Sequence, residues 1–107
     1  MKPKPKNYFV KWGTKMTKRI LEKHIEAAFV ARVKALGGMA EKFTTPAKRA
    51  APDRLVTLPG GRIVFAEIKN VGKKPTLSQQ ADHARRRALG CEVLVIDSLE
   101  GAKNAFS

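Results

Sequence analysis

Apolar residues recur at helical spacing near the start of the chain. They stand three and four residues apart, at Ile20, Leu21, Ile25, Ala28, Phe29, Val33 and Leu36. This spacing aligns them on one face of a helix. Thr17 is suited to the N-cap, and Gly37 and Gly38 supply a C-terminal stop. The pattern predicts a first helix from about Thr17 to Leu36.

Two β-rich runs surround a turn signal in the middle of the chain. Leu55, Val56 and Leu58 form one run and residues 62–68 form the other, with Pro59-Gly60-Gly61 between them. Such a turn between two β-rich runs is typical of a hairpin, predicted here over residues 53–69. A short strand from Met39 to Thr45 and a polar, basic connection over 46–52 are expected before it.

A loop and a second helix follow the hairpin. Residues 70–76 contain Gly, Pro and two lysines, which favours a loop. The helix is expected to begin at Leu77 or Ser78 and to run to Leu89, where Gly90 stops it.

The C-terminal part predicts one strand and one short helix. Val93 to Ile96 is a continuous apolar run of the kind found in strands buried on both faces. Either Asp97 or Ser98 is expected to cap a last helix that extends through Phe106. The predicted order is α-β-β-β-α-β-α, an α/β fold with a mixed sheet flanked by helices.

The composition fits one basic, intracellular domain. The chain has 107 residues, with 22 Lys and Arg against 9 Asp and Glu, for a net charge of +13. That balance favours a polyanionic partner, nucleic acid first, but does not indicate catalysis. Cys91 is the single cysteine, so no intrachain disulfide or cysteine-based zinc site can form. No apolar run is long enough to span a membrane, and we expect a cytoplasmic, DNA-associated protein.

The first 16 residues are expected to form a separate basic arm, partly disordered or dimer-forming, before a domain over 17–107. Lysines alternate with prolines at its start, without apolar anchors. The arm would either track phosphates or serve as a solubilising tail. Its apolar residues would pack against the domain, pair with a second subunit or stack on bases. They are Tyr8, Phe9, Val10 and Trp12.

Candidate chemistry lies on the hairpin. Pro52-Asp53 is followed, after thirteen intervening residues, by Glu67-Ile68-Lys69. Because side chains alternate along a strand, Glu67 and Lys69 face one side, and Asp53 on the partner strand can lie beside them. Two adjacent carboxylates are costly unless a cation separates them, and oxygen ligands suit Mg²⁺ or Mn²⁺. The alternative is an ordinary surface salt-bridge cluster.

This arrangement is the PD-(D/E)xK nuclease signature, and residues from about Ile20 to Phe106 resemble the VRR-NUC (virus-type replication-repair nuclease) family. The resemblance implies a restriction-endonuclease-like core. The matching segments are Ile25-Glu26, Leu36-Gly37-Gly38, Lys42-Phe43, Pro52-Asp53-Arg54, Pro59-Gly60-Gly61-Arg62, Phe65-Ala66-Glu67-Ile68-Lys69, Leu77-Ser78-Gln79, His83 and Gly90. One departure is Ala50-Ala51 before Pro52, where the family often has glycine, and it removes no ligand.

The resemblance implies roles for single residues. It places Glu26, Asp53, Glu67 and Lys69 in the active centre, with Gln79 added from the later helix. In similar enzymes the main-chain carbonyl before the lysine, here that of Ile68, also reaches the metal. Glu22 is the rival of Glu26 because it lies four residues earlier on the same helix face, and Gln80 is the neighbour that competes with Gln79.

Other polar residues receive less specific interpretations. Five basic residues are candidate DNA contacts, although a solvated basic face would account for them too. They are Lys42, Arg54, Lys73, Lys74 and Arg85. His24 and His83 are expected to be hydrogen-bonded or solvent-facing, since no partner for nucleophilic catalysis is evident.

Together these patterns predict an Mg²⁺- or Mn²⁺-dependent endonuclease acting on branched DNA, such as four-way junctions, in replication, recombination or repair. A homodimer would supply two sites for a two-fold symmetric junction. The alternative is a non-catalytic basic DNA-binding module that keeps the fold and the charge.

Overall fold

A computed structural model describes residues 20–46 and 50–107. The seven elements follow the predicted order. They are α1 (Glu22–Ala35), β1 (Met39–Lys42), β2 (Arg54–Leu58), β3 (Arg62–Ile68), α2 (Leu77–Ala88), β4 (Glu92–Ile96) and α3 (Leu99–Lys103). The predicted α/β fold, with its mixed sheet, is therefore confirmed. The basic arm and Thr17 lie outside the described residues.

Helix α1 begins later than its apolar spacing suggested. Leu21 occupies the N-cap position, and its backbone N–H donates to Nδ1 of His24 at 3.0 Å. The N–H of Glu22 donates to Oδ1 of Asn70 at 2.6 Å, which ties the first turn to the residue after Lys69. These two contacts satisfy N–H groups that a helix leaves without an internal partner.

Gly37 and Gly38 end α1 for two different reasons. Gly37 adopts φ +87°, a left-handed conformation that other residues rarely take. A Cβ on Gly38 would lie 2.5 Å from the carbonyl oxygen of Thr57. The chain therefore turns closely past β2 and enters the sheet as β1.

The sheet has the order β1-β2-β3-β4. The first two pairings are antiparallel, and β4 returns parallel to β3 after the α2 crossover. The turn between β2 and β3 contains Gly60 and Gly61, both at positive φ, as the Pro-Gly-Gly signal indicates. The predicted hairpin is confirmed.

The two faces of the sheet carry different side chains. Val64, Ala66 and Ile68 of β3 point to one face, where they join an apolar core with Ile25 and Phe29 of α1. Residues of β2, β4 and α3 complete that core. Phe65 and Glu67 point to the other face, which α2 covers. Alternation along β3 thus separates the apolar core from the charged residues.

Three local expectations need correction or are now decided. The first strand ends at Lys42 instead of Thr45. Strand β4 is not buried on both faces, because it lies at the edge of the sheet and Val95 is 36% exposed. Ser98, and not Asp97, caps α3, since its side chain accepts a hydrogen bond from the N–H of Gly101. Within the described ranges, no helix has the length and apolar character needed to cross a membrane.

Candidate active site

Strand pairing brings Asp53 and Glu67 together. Arg54 pairs with Ala66 in the antiparallel register, so one further step along each strand sets Asp53 opposite Glu67. Residues paired in this way place their side chains on the same face of the sheet. The sequence-based expectation that the hairpin would bring these two carboxylates side by side agrees with this geometry.

Glu67 is almost completely buried, with 2% of its side chain exposed. Its Oε2 accepts a hydrogen bond from Nε2 of Gln79 at 3.1 Å and lies 3.5 Å from Nζ of Lys69. Its Oε1 lies 3.7 Å from Nε2 of His83, and neither of these two atoms has a hydrogen-bond partner among the described residues. One oxygen of the carboxyl therefore has a hydrogen bond and a nearby ammonium group, whereas the other has no hydrogen bond among the described residues.

Burial raises the pKa of Glu67 to about 7, and repulsion from Asp53 adds to the effect. The charge of Lys69 acts in the opposite direction but does not cancel it. Desolvation and the neighbouring carboxylate both disfavour the charged form of Glu67. Without a cation, Glu67 therefore binds a proton more readily than an ordinary glutamate does.

Asp53 is held against the end of β3. Its Oδ2 accepts a hydrogen bond from the backbone N–H of Ile68 at 2.8 Å. In a strand the N–H and C=O of one residue point to the same side, whereas those of its neighbours point to the other. The N–H of Lys69 donates to Ile96 of β4, so the carbonyl of Ile68 points away from β4 and toward Asp53. The Ile68 carbonyl thus lies on the same side of the strand as the Asp53 carboxyl.

Glu26 forms an ion pair with Arg54 beside the cleft that Asp53 lines. Its Oε2 accepts from Nε of Arg54 at 2.9 Å, and Nη1 of the same guanidinium donates to the carbonyl of Ala40. Both Glu22 and Glu26 line a cleft of about 430 Å³ that Asp53 shares. The remaining lining residues are Lys42, Phe43, Thr44, Thr45, Ala51 and Pro52. The geometry thus gives Glu26 an ion-pair partner and leaves both glutamates beside the cleft.

The donor set fits a hard divalent cation held by few protein ligands. Within the described residues, no three His, Cys, Asp or Glu side chains come together as a metal cluster. The available oxygens are those of Asp53 and Glu67, with the carbonyl of Ile68 beside them. Mg²⁺ commonly binds one or two carboxylates and fills its remaining positions with water and phosphate. The unpartnered Oε1 of Glu67 is consistent with such a site.

Gln79, and not Gln80, reaches the site. Its Oε1 accepts from the N–H of Thr76 while its Nε2 donates to Glu67, so one side chain both caps α2 and supports the carboxyl. Gln80 donates to the carbonyl of Pro75 instead. The Thr-x-x-Gln capping box fixes the start of α2 and thereby places Gln79.

Two residues differ from their sequence-based interpretation. His83 is 2% exposed and faces Glu67, so it is neither solvent-facing nor hydrogen-bonded through Nε2. Four-residue spacing from Gln79 on a helix was the signal that could have revealed its position. Asn70 was assigned only to a loop, but its side chain holds the start of α1 at the end of the Glu-x-Lys strand.

The candidate DNA contacts fall into two groups. Lys42, Lys73, Lys74 and Arg85 are exposed, as a phosphate contact requires. Arg54 is different, because 14% of its side chain is exposed and its guanidinium already binds Glu26 and Ala40. We therefore correct its assignment from an open phosphate contact to a residue that orients Glu26.

Comparison with known proteins identifies the class. The chain matches none of the protein-family sequence models. Over 79 residues it is 51% identical to "Putative nuclease p44" of Acyrthosiphon pisum secondary endosymbiont phage 1, a match that covers 74% of this chain and 85% of that protein. A solved structure described as a VRR_NUC domain is similar with a TM-score of 0.73 and 35% sequence identity, covering 76% of this chain and 88% of that one.

The fold and these two similarities define the chain as a nuclease. The chain belongs to the VRR-NUC family of nucleases. This agrees with the resemblance carried by its motifs.

Proposed function

We propose that the protein is a metal-dependent endonuclease that hydrolyses phosphodiester bonds in DNA. The observation that carries the proposal is the Asp53–Glu67 carboxyl pair at the end of β3, with Lys69 3.5 Å from the glutamate. A buried glutamate beside a second carboxylate costs free energy, because desolvation and like charge both disfavour its ionised form. It is favourable where a cation and a phosphate are to be bound.

Asp53, Glu67 and the carbonyl of Ile68 would hold Mg²⁺ or Mn²⁺. When bound, the ion polarises the scissile phosphate and acidifies a water molecule. Lys69 lies on the same face as Glu67 and is 18% exposed, so its ammonium can orient the attacking water. Gln79 fixes Oε2 of Glu67 from the opposite element. Glu26, oriented by its ion pair with Arg54, would add a further carboxylate to the cleft beside Asp53.

The basic surface would bring the substrate to this site. Lys73 and Lys74 lie in the loop that links Lys69 to α2, and Lys42 lines the cleft. Contacts of this kind position the phosphate backbone without reading sequence. The alternative function, a non-catalytic basic module, would be expected to lack a ligand or the lysine, and this chain retains all of them.

Removing either carboxylate tests the chemistry. Glu67→Gln and Asp53→Asn should lower cleavage by about 10²- to 10³-fold or more, because each removes a ligand of the cation that would polarise the reacting phosphate. DNA binding should be unchanged or tighter, since each variant also removes repulsion from the phosphate. The measurement is cleavage of labelled duplex, flap, fork and four-way-junction DNA with Mg²⁺, Mn²⁺ or EDTA, alongside fluorescence anisotropy for binding.

Glu92→Gln is the matched control. Glu92 is an exposed carboxylate that pairs with Arg62, at the opposite end of β4 from the site. It should cleave like the unchanged protein. Turnover in excess EDTA, or full activity of Glu67→Gln, would refute the metal-dependent assignment.

We further propose that the substrate is branched DNA and that the active form is a homodimer. A four-way junction is two-fold symmetric, and two cuts by a C₂ dimer would resolve it. The aromatic residues of the arm, outside the described part of the chain, are the proposed contact. The double substitution Phe9→Ser and Trp12→Ser should convert a dimer of twice 11.8 kDa to a monomer. Paired cleavage of a junction should then be lost more readily than nicking at a single site. Light scattering that finds a monomer both free and on junction DNA would contradict this.

A further inference from the structure

The Glu67 carboxyl is supported unequally by helix α2. Gln79 and His83 are four residues apart, so they lie on one face of α2, and both face Glu67. Gln79 donates to Oε2 at 3.1 Å, a distance that makes a full hydrogen bond. His83 approaches Oε1 only to 3.7 Å, which is too long for one.

The gap leaves two buried polar atoms without partners. Oε1 of Glu67 and Nε2 of His83 are both inaccessible, and each lacks a hydrogen bond among the described residues. Buried polar atoms in native proteins are nearly always paired, because leaving one unpaired is unfavourable. An unmade bond between two facing groups therefore indicates an arrangement that serves another state of the site.

His83 is suited to donate a hydrogen bond to a charged Glu67. Its Nε2 is buried and lies 3.7 Å from Oε1 of Glu67. A neutral imidazole carries one N–H, and with that hydrogen on Nε2 it becomes a donor. The carboxylate that binds a cation needs such a donor more than the protonated acid does, because charged acceptors form stronger hydrogen bonds.

We infer that His83 is a positioning residue for the cation site, donating from Nε2 to Oε1 of Glu67 when Glu67 is a metal-binding carboxylate. The inference rests on the proposed function, and it assigns a role to a residue that the sequence left as an ordinary histidine. Gln79 and His83 together would hold both oxygens from one helix and fix the orientation of the carboxylate. Partners that orient a metal ligand in this way typically contribute about 10- to 100-fold to metal affinity.

The test is Mn²⁺ affinity, measured by isothermal titration calorimetry at pH 8 without DNA. His83→Leu removes the donor and should weaken Mn²⁺ binding by about 10- to 100-fold. His83→Gln can place an amide N–H near the position of Nε2 and should restore most of the affinity. His83→Asn, which reaches only as far as Nδ1, should not. On DNA, the Leu and Asn variants should lose kcat while KM is unchanged.

Asp82→Asn is the matched control on the same helix. Asp82 is buried and pairs with Arg86 at 2.7 Å, so its replacement lowers stability without removing a donor to Glu67. It should lower the melting temperature and keep Mn²⁺ affinity. Equal affinity in unchanged protein and His83→Leu would overturn the inference. If His83→Leu does not fold, equal affinity in His83→Gln and His83→Asn overturns it instead. Unchanged protein that binds no Mn²⁺ would refute the proposed function itself, a result distinct from either.

Discussion

The two faces of the sheet differ in the side chains that they bury, although the same strand contributes to both. On the face toward α1 and α3, β3 contributes Val64, Ala66 and Ile68 to a wholly apolar core. On the face toward α2, it contributes Glu67. Three polar or charged residues are buried in the described part of the chain, and all of them, Glu67 included, lie on this side. They are Glu67, Asp82 and His83. Alternate residues of one strand thus contribute either to the apolar core or to the candidate active site.

The α2 face is also held together differently. Arg86 pairs with Asp82 and lies over the rings of Phe43 and Phe65, at 5.4 and 4.7 Å from their centroids. Cation–π contacts and a partly buried ion pair add little net stability compared with apolar burial. They do fix side chains in defined positions. We conclude that the α1 face supplies most of the folding free energy and that the α2 face supplies the orientation of the site.

The largest expected effect comes from breaking the apolar face. Phe29 is completely buried and packs beside Phe106, with ring centroids 6.1 Å apart. Phe29→Ala should lower the free energy of unfolding by about 3–5 kcal/mol, because it leaves a cavity in the core. Under conditions where the variant is folded, Mn²⁺ affinity should be unchanged. Urea denaturation and calorimetry measure the two quantities.

Phe29→Leu provides a milder version of the same change. It keeps most of the volume and should cost less than about 1.5 kcal/mol. A fall in Mn²⁺ affinity in either folded variant would show that the two faces are coupled, against the separation argued above.

The sequence was sufficient where local rules and a motif agree. The hairpin follows from Pro59-Gly60-Gly61 between β-rich runs, and pairing within the hairpin then brings Asp53 to Glu67. The Thr76 N-cap is fixed by a capping box, which also places Gln79. Each of these depends on residues near one another in the chain or on a strand period of two.

The sequence was insufficient where a partner comes from a distant element. Arg54 looks like one more surface cation, and only packing shows that Glu26, 28 positions earlier, binds it. The true start of α1 depends on Asn70, 48 positions later. The apolar run predicts that Val95 is buried, whereas in the structure its strand β4 lies at the edge of the sheet. The spacing of His83 from Gln79 indicates which face of α2 it occupies. Its contact with Glu67 depends also on how α2 packs over β3, which the spacing does not determine.

The polar face predicts a smaller effect that depends on pH. The pKa of Glu67 is raised to about 7 in the folded protein, whereas an unfolded glutamate has the ordinary value of 4.5. The folded state therefore binds the proton more tightly, and its stability contribution is complete below pH 4.5 and is lost as pH rises through about 7. The metal-free protein should thus lose up to about 3 kcal/mol of unfolding free energy over this range, at about 1.4 kcal/mol per pKa unit.

Glu67→Gln isolates this contribution because it cannot ionise. His83 titrates in the opposite sense, since its pKa is lowered, and it is present in both proteins. In EDTA, the two proteins should be similar in stability near pH 4, and the variant should be more stable by up to about 3 kcal/mol near pH 8. Saturating Mn²⁺ should then raise the stability of the unchanged protein at pH 8 and leave the variant nearly unaffected, because ligand binding stabilises only the state that binds it. Urea denaturation across pH measures this, and parallel stability curves for the two proteins would show that Glu67 is ionised in the folded state without a cation.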